Sequence, residues 1–135
     1  MIKILIDTMH IYGLLTSKDD SYIKLSQALD AEKITGVISV TTLAEMLIFL
    51  GKDGYKNKLN ELLSLNLEII DTNQTIAIRA GEIHMIYKLP LGDSLIAATG
   101  MNENIKHVLT DDGHFEAIQN IIKPINLKTV LKMCG

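Results

Sequence analysis

The sequence predicts an α/β domain in which a parallel sheet is covered by helices on both faces. Two observations carry this. Short β-branched, apolar runs recur along the chain, and segments of helical period separate them. The first of these runs is nearly all apolar instead of alternating with polar residues, which is the pattern of a strand buried on both faces.

Each element follows from local sequence. Residues 2–6 (Ile-Lys-Ile-Leu-Ile) read as the first strand, with Asp7-Thr8 as the turn that ends it. From residue 20 to about 32, Tyr22, Leu25 and Leu29 recur at helical spacing behind the cap candidates Asp19, Asp20 and Ser21. Residues 36–40 form a second strand, Thr41 and Thr42 lead into an apolar helix through Leu50, and Lys52-Asp53-Gly54 breaks it. Leu59, Leu62 and Leu63 mark a short helix, and residues 67–70 a third strand ending at Asp71-Thr72. Ile76, Ala80, Ile83 and Tyr87 lie on one helical face, which ends before Pro90 because the residue preceding a proline avoids the α region. A further helix starts near Leu91 or Gly92 and runs to about Glu103. Residues 107–110 are a fourth strand, Asp111-Asp112-Gly113 its turn, and a weaker strand with a helical tail follows Pro124. With 135 residues and no visible repeat or linker, residues 1–135 are expected to form a single domain.

Composition narrows the function. Ile and Leu, with 20 and 19 copies, supply the core, while Trp is absent and aromatics are 4% of the chain, so no aromatic platform exists to stack bases. Thirteen basic against sixteen acidic residues leave a net charge of −3, so no global positive field attracts a polyanion. A nucleic-acid contact has to be local or metal-assisted. The single cysteine, Cys134, makes no internal disulfide, which fits a reducing compartment, and no apolar run reaches the roughly 18 residues of a membrane span. A cytoplasmic protein without a membrane segment is the expectation.

Four acids stand apart from their surroundings. Asp7 ends an apolar strand, Glu45 is the only charge between Leu43 and Leu50, Asp93 the only one between Leu89 and Asn102, and Asp112 follows a strand. Each has a local role open to it: Asp7 and Asp112 as caps after strands, Asp93 at the positive end of a helix dipole, and Thr42-Leu43-Ala44-Glu45 as a capping box. Caps that follow parallel strands, however, all point to one edge of the sheet, where ligands of such folds bind. Unpaired buried carboxylates are costly, and with a single arginine, Arg79, and scattered lysines the chain has few cations to neutralise four of them. One divalent metal does so at a single point.

The segments Leu5-Ile6-Asp7-Thr8, Thr41-Thr42-Leu43-Ala44-Glu45, Leu91-Gly92-Asp93-Ser94-Leu95-Ile96-Ala97-Ala98-Thr99 and Leu109-Thr110-Asp111-Asp112-Gly113-His114-Phe115 resemble, in order, the signature segments of PIN-domain ribonucleases, in particular VapC toxins of toxin–antitoxin pairs. That resemblance implies a three-layer α/β/α fold and Mg²⁺ or Mn²⁺ held by Asp7, Glu45, Asp93 and Asp112. It implies hydrolysis of single-stranded or looped RNA, with Asp112 chosen over Asp111 because the family pattern leaves one variable residue after the threonine. It also implies a homodimer and a small antitoxin partner. Hard carboxylate oxygens suit Mg²⁺, and Asp7, Asp93 and Asp112 are the expected main ligands, with Glu45 holding a second ion or orienting water.

Supporting roles are open to Thr8 and Thr110, whose hydroxyls hydrogen-bond ligands or water unless they are plain turn residues. Lys52, Lys56 and Lys58 are candidates for phosphate contact, against the commoner reading of solvated charges. His10, His84, His107 and His114 have no paired metal-ligand spacing, and His114 reads as part of its turn. The helices around Tyr22, Leu25 and Leu29 and around Leu59, Leu62 and Leu63 serve either as core or as an association surface. A non-catalytic RNA- or protein-binding module of the same fold is the alternative. An aspartyl phosphatase is disfavoured because Asp7-Thr8-Met9 lacks an Asp-x-Asp pair, and a nucleotide-cofactor enzyme because no glycine fingerprint occurs.

Overall fold

A computed structural model describes residues 1–135. Five parallel strands, β1 (Lys3–Ile6), β2 (Thr35–Ser39), β3 (Leu67–Ile70), β4 (His107–Leu109) and β5 (Lys123–Ile125), form one sheet in the order β3-β2-β1-β4-β5. The chain winds outward from β1 through β2 to β3, then returns to the other side of β1 for β4 and β5. The order therefore reverses between β1 and β4, and the register there pairs Leu5 with Val108 and Ile6 with Leu109.

Successive strand residues point to opposite faces, and this alternation builds two cores from one sheet. Ile4, Ile6, Ile38 and Leu109 face one core, which is completed by Ile11, Leu25, Leu29, Met46, Leu62 and Val130. Leu5, Val37 and Val108 face the other, packed by Ile76, Ala80, Ile83, Ile96 and Phe115. The first core is closed by helices α1 (Thr8–Thr16), α2 (Asp20–Asp30), α3 (Val40–Leu50), α4 (Tyr55–Ser64) and α7 (Leu127–Cys134). The second is closed by α5 (Gln74–Tyr87), α6 (Leu91–Asn102) and a 3-10 turn over Gly113–Ile118. The result is the expected three-layer α/β/α architecture with an all-parallel sheet.

Two sequence expectations change. Asp7-Thr8 does not end in a turn: Asp7 is the N-cap of α1, its Oδ1 accepting the Thr8 N–H at 2.8 Å. The helix over residues 8–16 escapes the sequence pattern because Thr, His, Ile, Tyr and Gly are indifferent or poor helix formers and its exposed side, with Met9 and Thr16, carries no charge to mark an amphipathic stripe. The reading of two helices as either core or association surface is also narrowed. Leu25, Leu29 and Leu62 belong to the core, whereas the large apolar side chains left exposed include Leu47, Ile48 and Phe49 on α3, Leu63 on α4, and Ile78, Met85 and Ile86 on α5.

Candidate metal centre

The carboxyl ends of β1 and β4 meet at the reversal in strand order, the crevice where open α/β sheets bind ligands. Asp7 leaves β1 there, tied to the neighbouring strand by its backbone N–H on the Leu109 carbonyl at 3.0 Å. The residue is 6% exposed and each carboxylate oxygen has one partner: Oδ1 takes the Thr8 N–H, and Oδ2 accepts the Thr110 hydroxyl at 2.7 Å. The same Thr110 Oγ1 accepts the Asp112 backbone N–H at 3.0 Å, so one hydroxyl ties the Asp7 carboxylate to the backbone of Asp112. Thr8 and Thr110 are thus not plain turn residues.

Glu45 arrives from α3. The expected capping box is absent, because the helix begins earlier: Ser39, at the end of β2, is the N-cap and its Oγ accepts the Thr41 N–H at 3.0 Å. Glu45 therefore lies past the first turn and accepts the Thr8 hydroxyl at 2.5 Å, while the Thr42 and Thr8 hydroxyls are 3.2 Å apart. Its carboxylate also rests on the start of α6, where a Cβ on Gly92 would come within 2.8 Å of Glu45 Oε2. Glycine at 92 is what admits the acid.

Asp93 follows in the first turn of α6, its side chain 15% exposed. Burial first, and then the charges of Asp112 and Asp7, push its carboxyl up to about 6. Asp7 is raised by burial as well, against the lowering effect of its bonds from Thr110 and Thr8. Asp112 caps the 3-10 turn by accepting the His114 N–H at 2.9 Å. The imidazole of His114, expected only to belong to the turn, reaches further: Nδ1 is 3.0 Å from Asp112 Oδ1 and 3.3 Å from Asp93 Oδ2. Asp93, Asp112 and His114 each offer a ligand atom, all within 4.8 Å of one another. A carboxylate and a histidine two residues apart, with the fully buried Phe115 anchoring the turn behind them, is the sequence signal that would have found this residue.

An unbroken path of contacts thus runs from Glu45 through Thr8, Asp7, Thr110, Asp112 and His114 to Asp93. Asp111 is turned away from it. Its Oδ2 lies 3.1 Å from Nε2 of His10, close but without the alignment of a hydrogen bond. His10 is buried in α1, its Nδ1 is 2.9 Å from the Tyr22 hydroxyl, and burial lowers its pKa against the pull of Asp111 and Asp7. Tyr22 reaches that far because residue 13 is glycine: a Cβ there would run into the phenol ring. The sequence pattern assigns neither His10 nor Tyr22 to this neighbourhood.

No Lys or Arg comes within ion-pair distance of Asp7, Glu45, Asp93 or Asp112. Lys58 is committed elsewhere, its Nζ donating to the Leu15 carbonyl at 2.9 Å and lying 3.3 Å from Glu61, while Lys52 and Lys56 line an open, wholly polar depression at the α3–α4 connection. Crowded oxygen donors, one of them buried and none paired with a lysine or arginine, are the donor set a divalent cation fits.

A family model described as PIN domain matches residues 4–121. Among solved structures, a chain of VapBC2 from Rickettsia felis bound to a DNA fragment from its promoter superposes with a TM-score of 0.75 at 27% identity, over 93% of this chain and 98% of that one. A chain of a toxin–antitoxin complex from Klebsiella pneumoniae gives 0.68 at 26% identity, over 91% and 96%. VapC20 from Mycobacterium tuberculosis, a Sarcin-Ricin loop cleaving toxin, shares the fold with a TM-score of 0.68 at 16% identity, over 89% and 97%. No curated protein matches by sequence. Strand order, crevice and family model agree, and the chain belongs to the PIN domain family, with the fold of its VapC-type members.

Proposed function

We propose that this PIN domain is a Mg²⁺- or Mn²⁺-dependent endoribonuclease and the toxin of a type II toxin–antitoxin pair. The observation that carries the reading is the path of contacts that links Asp7, Glu45, Asp93 and Asp112 at the strand-order reversal, with no lysine or arginine within ion-pair distance of any of them. Asp7, Asp93 and Asp112 would hold the cation. When bound, a divalent ion supplies an acidified water and withdraws charge from a phosphoryl oxygen.

The chain's own groups do the rest. Thr110 and the Thr8 N–H keep the Asp7 carboxylate in one orientation, so that no reorganisation is needed as charge develops. Glu45, fixed by Thr8 at the start of α6, holds a second ion or accepts a proton from the attacking water. RNA is the proposed substrate, supported by the resemblance to PIN-domain ribonucleases, and without an aromatic stacking platform the chain would engage its phosphates through metal. Lys52 and Lys56 are the proposed contacts to the RNA backbone, and Lys58, whose Nζ already donates to the Leu15 carbonyl and lies beside Glu61, is the weaker candidate of the three. The likeness to chains of VapBC2 and of the Klebsiella complex supports a small antitoxin as partner, with exposed apolar residues of α3 and α5 as surfaces for it or for a second copy of the chain.

The test is cleavage of a structured RNA by the purified chain with and without Mg²⁺ or Mn²⁺. Cleavage that needs the metal and falls at least about a hundredfold in Asp93→Asn, with the variant still folded by its melting transition, is the expected result, on the scale of losing an electrostatic element of a site. RNA binding without cleavage would favour the non-catalytic module instead.

A further inference from the structure

A centre made of carboxylates alone leaves His114 without a purpose. Its side chain is 59% exposed, and nothing in the core holds the ring, yet the ring is turned inward so that Nδ1 faces Asp112 and Asp93 together. The backbone enforces this placement, because Asp112 Oδ1 takes the His114 N–H and Phe115 is locked in the core behind it. No lysine or arginine competes for the two carboxylates, and His10, the other imidazole nearby, is committed to Tyr22 and Asp111.

We propose that His114 Nδ1 is a ligand of the ion held by Asp93 and Asp112, and that this nitrogen makes the centre prefer a first-row transition ion such as Mn²⁺ to Mg²⁺. The inference rests on reading the acidic cluster as a metal centre and adds to it a ligand and a selectivity. Its geometric basis is the convergence of two carboxylate oxygens and one imidazole nitrogen within 4.8 Å. Its chemical basis is ligand softness: Mg²⁺ is a hard cation served by oxygen, whereas imidazole raises affinity for transition ions. Glu45, at the far end of the path of contacts, meets only hydroxyl oxygen through Thr8.

The intact chain, stripped of metal and given one equivalent of Mn²⁺, tests this by pulsed electron paramagnetic resonance. Modulation from a directly coordinated ¹⁴N nucleus is expected in the wild type, replaced by ¹⁵N modulation when histidine is isotopically labelled, and absent in His114→Asn. Calorimetric titrations should show Mn²⁺ affinity falling at least about tenfold in His114→Asn, the scale on which loss of a metal's supporting partner is felt, with a smaller loss for Mg²⁺. Mn²⁺ bound to the wild type with no histidine nitrogen coupling would overturn the proposal and leave the carboxylate centre standing, His114 then being an ion-pair partner only. Retention of the nitrogen signal in His114→Asn would overturn it too. Failure of the wild type to bind either ion would overturn both this inference and the nuclease reading. The labelling arm needs no variant, so absence of histidine coupling in the wild type overturns the proposal even if His114→Asn folds poorly.

Discussion

Asp93 shows how one residue serves fold and chemistry with opposite preferences. At the start of α6 a carboxylate favours the helix dipole, yet burial and the neighbouring charges of Asp112 and Asp7 hold its carboxyl near 6, well above an ordinary aspartate at 3.8. A folded-state pKa above the unfolded value means the folded protein binds the extra proton. The stability this group contributes is fully present below about 3.8 and is lost as the pH rises through about 6. In metal-free protein Asp93→Asn is therefore expected to melt higher than wild type at pH 7.5, by roughly 4 °C or more, the shift that about 1 kcal/mol produces at this size. At pH 4 the gain should shrink towards zero. A difference between mutant and wild type that stays constant across that range would show the crowding to be absent.

At the scale of elements, the junction of α3 with α6 is where packing and function meet. Gly92 lies in the first turn of a helix, where alanine is ordinarily better by up to about 1 kcal/mol. Here its added Cβ would press on Glu45 Oε2 and move the carboxylate off the Thr8 hydroxyl. Because the obstructing atom is the end of a flexible side chain, the two effects on stability nearly cancel. Gly92→Ala should thus melt within about 4 °C of wild type while cleavage falls at least about tenfold, since small misplacements of a catalytic group are costly. Wild-type turnover in this variant would mean that Glu45 has no positional role. How much was legible also differs by element. The strand at residues 67–70 and the helix ending before Pro90 followed from β-branched runs and proline, which act locally. Helix α1 did not, because its stability comes from burial between α2, α3, α4 and the sheet and not from its own sequence.

For the whole molecule, the crowding of acids at one sheet edge makes metal binding a matter of stability. A cation that binds only the folded chain relieves repulsion among Asp7, Asp93 and Asp112. Millimolar Mn²⁺ or Mg²⁺ should raise the melting temperature by about 4 °C or more, and Asp7→Asn should lose most of that rise. A melting curve indifferent to either ion would count against the centre. The exposed apolar residues of α3 and α5 lead to a separate expectation, that the chain is a dimer or is held by a small partner. A monomer by light scattering at tens of micromolar, with no partner retained on purification from its native host, would refute the association without touching the nuclease reading.

The succession of the five strands and of helices α2 to α7 was readable in the chain, because it rests on local periodicity and turn chemistry, and the sequence proposes four acids, with Asp112 preferred to Asp111, from their isolation in apolar segments and a short motif. Asp7 and Asp112, each just past a strand, cap the helical turns that begin there, and the sheet-edge rule then brings them to one crevice. Tertiary structure alone decided what each acid touches. Thr8 joins Glu45 across residues 8 to 45, Thr110 joins Asp7 across 110 to 7, and His114 turns between Asp93 and Asp112. No sequence period encodes those contacts. They exist because β1 and β4, far apart in the chain, are neighbours in the sheet, and because a missing side chain at Gly92 lets a carboxylate lie against a helix.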